Sequence, residues 1–178
     1  IRLIVGRGWG QGPQHSQSLH SFFSHIPGLK VVMPSTSASA SSLMRAAVED
    51  PNPVIYIEHR WLHNLNFEYN PNKKIEKLGK AKILKKGKDI TIISCSYMTI
   101  EVLRLTSYLK ENNIDFELID LQSISPLDVN AILKSVKKTK RALVLDIGHK
   151  SFGISSEIIS TISEKLSNIL KCNPQRIA

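Results

Sequence analysis

The stretch LKVVMPSTSASASSLMRAAVEDPNPVIYIEH, residues 29–59, contains a strand, a helix and a second strand in close succession. LKVVMPS has the apolar, β-branched composition of a buried strand, and the serine-rich segment 37–42 predicts the start of a helix. DPNP at 50–53 then turns the chain into the strand VIYIEH, and this order is typical of a parallel βαβ unit. The inner face of the helix is predicted to consist of Ala40, Leu43, Ala47 and Val48.

The preceding segment adds a strand, a glycine-rich loop and a short helix. IRLIV at 1–5 predicts a strand, and the loop that follows has glycines at 6, 8, 10 and 12. Pro27-Gly28 ends the helix, and Ser16 is well placed to cap its N-terminus. Its apolar face is predicted from residues at i, i+3, i+4 and i+7: Leu19, Phe22, Phe23 and Ile26.

Downstream of residue 59 the pattern weakens and then resumes. Residues 63–78 are rich in Asn, Pro and Lys without a sustained period, which predicts a linker. Two strands around a Lys-Gly turn follow, then a helix over 97–111 and a strand over 114–121. Ser125-Pro126-Leu127-Asp128 favours a helix start with Ser125 as its cap, a strand follows at 141–147, and a last helix is predicted from Ile154, Ile158, Ile162, Leu166 and Ile169. The sequence therefore predicts an α/β protein in two pieces, 1–62 and 79–178.

Composition excludes several classes of protein. Of the 178 residues, 42% are hydrophobic and 22% charged, which is typical of a globular protein. No apolar run approaches the roughly 18–20 residues of a membrane span, and no signal peptide opens the chain, so we expect a cytoplasmic protein. The two cysteines, Cys95 and Cys172, lack the spacing of a zinc site or a disulfide framework.

The net charge of +9 is concentrated in one lysine-rich segment. Eight lysines lie between Pro71 and Ile90, at 73, 74, 77, 80, 82, 85, 86 and 88. The segment contains no aromatic residue to stack on a base and no arginine to read one. We therefore predict a solvated linker and hairpin whose lysines protect a sheet edge, and no nucleic-acid partner.

The glycine loop does not match the common phosphate-binding motifs. Gly6-x-Gly8 is followed at the last motif position by Gln11, and Gly8-x-Gly10 by Pro13, so neither frame gives G-x-G-x-x-G. His15 is the candidate functional residue, because we expect it directly before a helix N-terminus. There the positive end of the helix dipole favours a neutral imidazole, which can exchange a proton with a ligand. The spacing alone favours the other interpretation, a histidine that only packs or hydrogen-bonds at the loop–helix joint.

Two segments carry a resemblance to a known family. GQGPQHSQSLHSFFSHIPGLKVV at 10–32, continued by the PS and DPNPV steps, resembles the second half of the pyrimidine-binding domain of the β subunit of thiamine-diphosphate-dependent 2-oxo acid dehydrogenases, the E1 component. Residues 78–146, LGKAKILKKGKDITIIS through LVLD, are similar to the C-terminal domain shared by that subunit and transketolase. The resemblance implies a partial pyrimidine-binding α/β domain followed by a C-terminal α/β domain with a mostly parallel sheet. It also implies that the chain ends before a segment that usually follows in such subunits.

The resemblance assigns candidate site residues. His15 occupies the position of an active-site histidine near the reactive ring of the cofactor. The resemblance further implies a potassium ion bound through backbone carbonyls, at the positions of Ala47, Val48, Asp50 and Asn52. The alternative is a helix C-terminus whose last carbonyls are only solvated.

The chain departs from the family pattern at three positions. Gln122 stands where an arginine is common, and Asp146 and Phe152 replace the usual residues of the segment 146–157. His149 is expected at the surface. Glu58 and His59, at a strand end, are expected either to line a cleft or to form a structural ion pair.

Cofactor binding requires residues that this chain does not contain. The family's catalytic glutamate lies upstream of the matched stretch, and the G-D-G motif that holds thiamine diphosphate and Mg²⁺ is absent from the sequence. We therefore expect an α-type E1 subunit or a second copy to complete the site, with a 2-oxo acid as substrate and a lipoylated acyltransferase as acceptor. The alternatives are a transketolase-like two-carbon transferase acting on a sugar, and a non-catalytic assembly module.

Overall fold

A computed structural model describes residues 1–6, 8, 10–68 and 75–178. The strands are β1 Arg2–Val5, β2 Lys30–Val32, β3 Val54–His59, β4 Lys82–Lys85, β5 Ile90–Ser94, β6 Phe116–Asp120, β7 Ser123–Ser125, β8 Ala142–Leu145 and β9 Gln175–Ile177. The helices are α1 Gly12–His15, α2 His20–Ser24, α3 Ser37–Glu49, α4 Tyr97–Arg104, α5 Thr106–Glu111, α6 Val129–Thr139 and α7 Ile154–Leu166, with a 3₁₀ turn at Arg60–Leu62. This alternation confirms the α/β class.

The strands form two sheets. In the first, with order β1-β3-β2-β7, β1 and β2 lie parallel to β3. In the second, with order β4-β6-β5-β8-β9, only the edge strand β4 is antiparallel to its neighbour. The mostly parallel second sheet was predicted, whereas β9 at its far edge was not.

Strand β7 connects the two parts of the chain. It follows β6 after two residues, yet it pairs antiparallel with β2 and so belongs to the first sheet. The predicted helix start at Ser125 is therefore wrong: Ser125 ends β7, and α6 begins at Val129 with Asp128 as its cap, accepting a hydrogen bond from the Ala131 amide. The carboxylate of Asp128 provides the acceptor that a free helix N-terminus needs.

One apolar core spans both sheets. Val31 and Ile57 of the first sheet belong to the same buried cluster as Ile93, Ile119 and Val144 of the second. α7 seals it with the predicted isoleucine face, since Ile154, Ile158, Ile162 and Leu166 are all buried. In α3, Leu43 is buried as predicted, but Val48 is 79% exposed, so the predicted inner face is wrong at that position.

The lysine-rich segment forms an edge strand and not the expected hairpin. β4 and β5 are separated by β6, which pairs with both. Lys82 contacts Glu76 at 2.8 Å and Lys85 contacts Asp115 at 3.0 Å, so part of the positive charge is neutralised locally. Lys73 and Lys74 lie outside the described residues. Within the described part of the chain, no helix is both long enough and apolar enough to cross a membrane.

Candidate functional site

The glycine loop begins where two parallel strands end side by side. Val5, the last residue of β1, is in register with His59, the last residue of β3. Loops at the carboxyl ends of parallel strands are the usual place for ligand-binding residues. Gly6 has φ +137°, and a Cβ there would lie 3.2 Å from two atoms of the His59 ring, so glycine allows the loop to pass close to that imidazole.

His15 lies at the end of a single helical turn and is exposed. It is the last residue of α1, and α2 begins only at His20. The expected position of His15 directly before a helix N-terminus is therefore wrong. Ser16 does not cap the following helix either: its hydroxyl donates to the Gly12 carbonyl at 2.8 Å and closes α1 from its C-terminal side. The N-cap position of α2 is Leu19, which cannot cap.

The predicted apolar face of the short helix is only partly buried in α2. Phe23 packs against the core as expected, but Phe22 is 64% exposed and Leu19 49%. The side chain that α2 buries is His20, with no exposed surface. A polar residue thus takes the buried position because a partner for it exists in the second part of the chain.

That partner is Asp146, at the carboxyl end of β8. His20 Nε2 lies 2.8 Å from Asp146 Oδ1, and the carboxylate also accepts hydrogen bonds from the amides of Gly148 and Ser155. Burial raises the pKa of Asp146, but the hydrogen bond and charge of His20 and the two amides outweigh it, and the net pKa is lowered. Asp146 is therefore a buried anion that joins the two parts of the chain.

A second buried carboxylate lies at the end of β6. Asp120 is fully buried and accepts hydrogen bonds from the hydroxyls of Ser35, in the first part of the chain, and Thr99. Gln122, which stands where the family often has arginine, is buried and donates to the same carboxylate at 3.4 Å. Desolvation dominates here and raises the pKa of Asp120 to about 6.

Both carboxylates, together with buried Cys95, occupy the carboxyl edge of the second sheet. The first part of the chain contributes His20 and Ser35 to this edge, so both carboxylates are closed to solvent. An open cavity of about 950 Å³ lies nearby, between α2 and residues 152–157. Burial, followed by the charges of Asp146 and Asp120, raises the pKa of the Cys95 thiol well above its usual range. Cys95 is therefore an unreactive thiol, and Cys172 is a free exposed one.

An open cavity lies beside the ends of β2 and β3. Its volume is about 330 Å³, and it is lined by residues that include Ser35, Thr36, Glu58, His59 and His63. Glu58 forms an ion pair with Arg2, not with His59, so the expected structural ion pair exists with a different partner. His59 has its pKa lowered to about 4, mainly by burial and also by neighbouring His63. It is a neutral ring at physiological pH.

The segment proposed for potassium is the turn that ends α3. The helix ends at Glu49, and Asp50 has an extended conformation. Asp50 Oδ1 accepts hydrogen bonds from the amide and the side chain of Asn52, both at 2.9 Å, while Oδ2 lies 2.5 Å from Lys30 Nζ. The pKa of Asp50 is lowered to about 2, first by the hydrogen bond from Lys30 and then by those from Asn52.

The remaining candidates lie at the surface. His149 is exposed, as expected, and Phe152 is 97% exposed with φ +58°. Among the described residues, no group of three or more His, Cys, Asp or Glu side chains could hold a metal ion. Sequence reasoning missed the pairing of His20 with Asp146, which no local pattern signals because the two residues are 126 positions apart.

Comparison with known proteins gives matches along most of the chain. The family described as the transketolase pyrimidine-binding domain matches residues 3–64, and the family described as the transketolase C-terminal domain matches residues 79–178. The chain is 40% identical over all of its 178 residues to the pyruvate dehydrogenase E1 component subunit beta of Porphyra purpurea, of which it covers 54%. It is 35% identical over 99% of its length to the acetoin:2,6-dichlorophenolindophenol oxidoreductase subunit beta of Cupriavidus necator, of which it covers 52%.

Among solved structures, a split-gene transketolase described as an inactive beta4 tetramer has a TM-score of 0.81 at 21% identity. The likeness covers 99% of this chain and 55% of that one, and at this identity it concerns the fold. The chain spans about half the length of the curated relatives that it matches.

Proposed function

Because this chain belongs to the thiamine-diphosphate-dependent transketolase family, with its pyrimidine-binding and C-terminal domains, we propose that it is part of the β subunit of a 2-oxo acid dehydrogenase E1 component. The observation that carries the proposal is the 35–40% identity to E1 and acetoin oxidoreductase β subunits along the whole chain. We place the boundary between the two domains in residues 63–78.

His15 is the residue to which we assign proton transfer. Its imidazole is exposed on the loop at the carboxyl end of β1, where a substrate bound at the domain edge can reach it. An imidazole at this place can act as a general acid or base towards a bound ligand. Thiamine diphosphate, when bound, supplies the electron sink for decarboxylation.

The cofactor site is completed by a partner. The described residues hold no cluster of metal-ligating side chains, and the sequence has no G-D-G motif. We therefore assign the diphosphate and Mg²⁺ to an α-type subunit or a second copy. The acyl acceptor is a lipoylated acyltransferase.

We propose a monovalent cation at the turn after α3. The last carbonyls of a helix point out of its C-terminus without intrahelical partners and carry its negative dipole end. The carbonyls of Ala47, Val48, Asp50 and Asn52 are hard oxygen donors of the kind that K⁺ prefers, and we propose that they hold potassium. At equal ionic strength, KCl would then raise the Tm of the chain relative to NaCl, and equal values of Tm in the two salts would refute the site.

A single substitution tests the catalytic assignment. In the complete enzyme with its partner subunit, His15→Gln is expected to lower kcat for 2-oxo acid turnover by about 10²–10⁴-fold while assembly is unchanged. His149→Gln is the matched control, since it removes an exposed imidazole from the other domain. Wild-type turnover in the His15 variant would contradict the role of His15.

Two other functions remain as alternatives. A transketolase-like transferase would consume a sugar in place of a 2-oxo acid, which a substrate comparison on the same complex decides. An assembly module is favoured by the burial of Asp120 and Asp146 at the carboxyl edge of the second sheet, since neither carboxylate is open to a ligand. It predicts that His15→Gln changes neither turnover nor assembly.

A further inference from the structure

Three aromatic side chains form a cluster beneath the glycine loop. The rings of His59 and Tyr97 are stacked, with centroids 4.7 Å apart and planes 12° from parallel. Trp61 lies edge-on to both, with its centroid 6.3 Å from that of His59 and 5.2 Å from that of Tyr97. His59 and Trp61 come from the first domain and Tyr97 from the second, so the cluster crosses the domain boundary. We call these three residues the aromatic platform.

Two glycines at the start of the loop, Gly6 and Gly8, lie against this platform. A methyl group on Gly6 would be 3.2 Å from both Cε1 and Nε2 of His59, which is closer than side-chain carbons usually approach. A methyl group on Gly8 would be 3.8 Å from Cζ2 of Trp61, an ordinary van der Waals contact. Two rings of the platform therefore support two successive glycines of the loop.

The charge state of His59 suits a packing role. Its Nδ1 accepts a hydrogen bond from the Trp61 amide at 3.3 Å, so the proton of the neutral ring is on Nε2, on the side of Gly6. The ring is 3% exposed and its pKa is lowered to about 4. A neutral, buried imidazole can stack on a phenol ring without a counterion, and aromatic pairs of this kind have a preferred geometry.

The geometry points to a positioning role. We propose that His59, Trp61 and Tyr97 are positioning residues that fix the path of the glycine loop and thereby place His15 for catalysis. Through Tyr97, the C-terminal domain would control the active-site loop of the other domain without contacting substrate. The proposal rests on the proposed function for the role of His15, but the support of the loop by the platform can be measured independently of catalysis.

Removal of one ring from the second domain tests the proposal. Tyr97→Leu is compared with Tyr97→Phe, which keeps the ring, and with Tyr108→Leu, which removes an exposed tyrosine from α5. Amide hydrogen exchange of residues 6–16 is measured in the full chain, and kcat and KM in the complete enzyme. We expect at least 10-fold faster exchange of these amides in Tyr97→Leu, and a lower kcat at similar KM. Tyr97→Phe should restore both, and Tyr108→Leu should change neither.

The outcomes separate the two proposals. Unchanged exchange of residues 6–16 in folded Tyr97→Leu would overturn the platform, even if His15→Gln is inactive. Faster exchange of residues 6–16 with full turnover would show that the platform holds the loop, but would overturn its link to His15. If Tyr97→Leu does not fold, Trp61→Leu replaces it, since Trp61 is already 41% exposed and its loss leaves no large internal cavity.

Discussion

His20 and Asp146 form a buried hydrogen-bonded pair that joins the two domains, with 2.8 Å between Nε2 and Oδ1 and no exposed surface on either side chain. Loss of His20 leaves the buried carboxylate of Asp146 with only the amides of Gly148 and Ser155 as partners, and loss of one partner from a buried polar group costs about 1–3 kcal/mol. We expect His20→Leu to lower the free energy of unfolding by that amount in urea denaturation. Lys30→Ala provides the control, because its partly exposed pair with Asp50 is screened by solvent and is expected to contribute much less.

The lowered pKa of Asp146 gives this pair a pH dependence. A carboxylate whose folded pKa lies below its unfolded value contributes stability above the unfolded pKa, and that stability is lost as the pH falls through the folded pKa. The destabilisation caused by Asp146→Asn should therefore be largest near neutral pH and shrink below about pH 4. A destabilisation that is constant with pH would mean that the carboxylate charge is not responsible.

Asp120 should behave in the opposite way. Its folded pKa of about 6 exceeds its unfolded value, so its contribution is fully present below the unfolded pKa and is lost as the pH rises through 6. Asp120→Asn removes the charge. Its amide nitrogen can donate to the Thr99 hydroxyl while its oxygen still accepts from Ser35 and Gln122. We expect the variant to gain stability relative to the wild type between pH 4 and pH 7, measured as the difference in free energy of unfolding. If the free energies of unfolding of the variant and the wild type change with pH in parallel, the raised pKa of Asp120 is contradicted.

Gly87 tests the packing of the second sheet. A Cβ at this position would lie 2.2 Å from both the carbonyl carbon and the oxygen of Phe116, on a strand held between two neighbours. Backbone cannot yield as a side chain does, so Gly87→Ala should cost more than Gly28→Ala, about 3 kcal/mol or more. Gly28→Ala is the comparison: its Cβ would meet nothing within 4 Å, and only the positive φ of +86° opposes it, at about 1–2 kcal/mol. Equal losses of unfolding free energy in the two variants would contradict a clash between a Cβ at Gly87 and the Phe116 backbone.

Local patterns predicted the elements but not how distant segments meet. The isoleucines of α7 repeat with the period of one buried helix face. This prediction is confirmed for Ile154, Ile158, Ile162 and Leu166, because α6 and the strands β8 and β9 pack against α7, whereas Ile169 lies beyond its end. Ser125 shows the limit: its Ser-Pro-Leu-Asp context favours a helix start, but pairing with β2 draws the residue into a strand. Tertiary contacts of this kind override local propensity.

In the candidate site, too, local sequence identified single residues but not their distant partners. The sequence singled out His15 by its place after the glycines, and the structure places it on the loop at the carboxyl end of β1. The sequence did not indicate that α2 buries His20, because the partner of His20 is Asp146, far along the chain. The contact of His59 with Tyr97 likewise depends on how the two domains pack, which no local period encodes.

The neutral ring of His59 gives the last prediction. A histidine whose folded pKa is lowered to about 4 favours the neutral form in the folded state, so the chain loses stability as the pH falls from about 6.5 towards 4. His59→Phe retains an aromatic ring for Tyr97 and removes the titration. We expect it to flatten the loss of unfolding free energy between pH 6.5 and 4, by at most a few kcal/mol. Asp120 acts with the opposite sign in an overlapping range, so the measurement is best made in the Asp120→Asn background, where this opposing change is removed. If His59→Phe leaves the pH profile of that background unchanged, His59 is not the buried neutral base on which the aromatic platform depends.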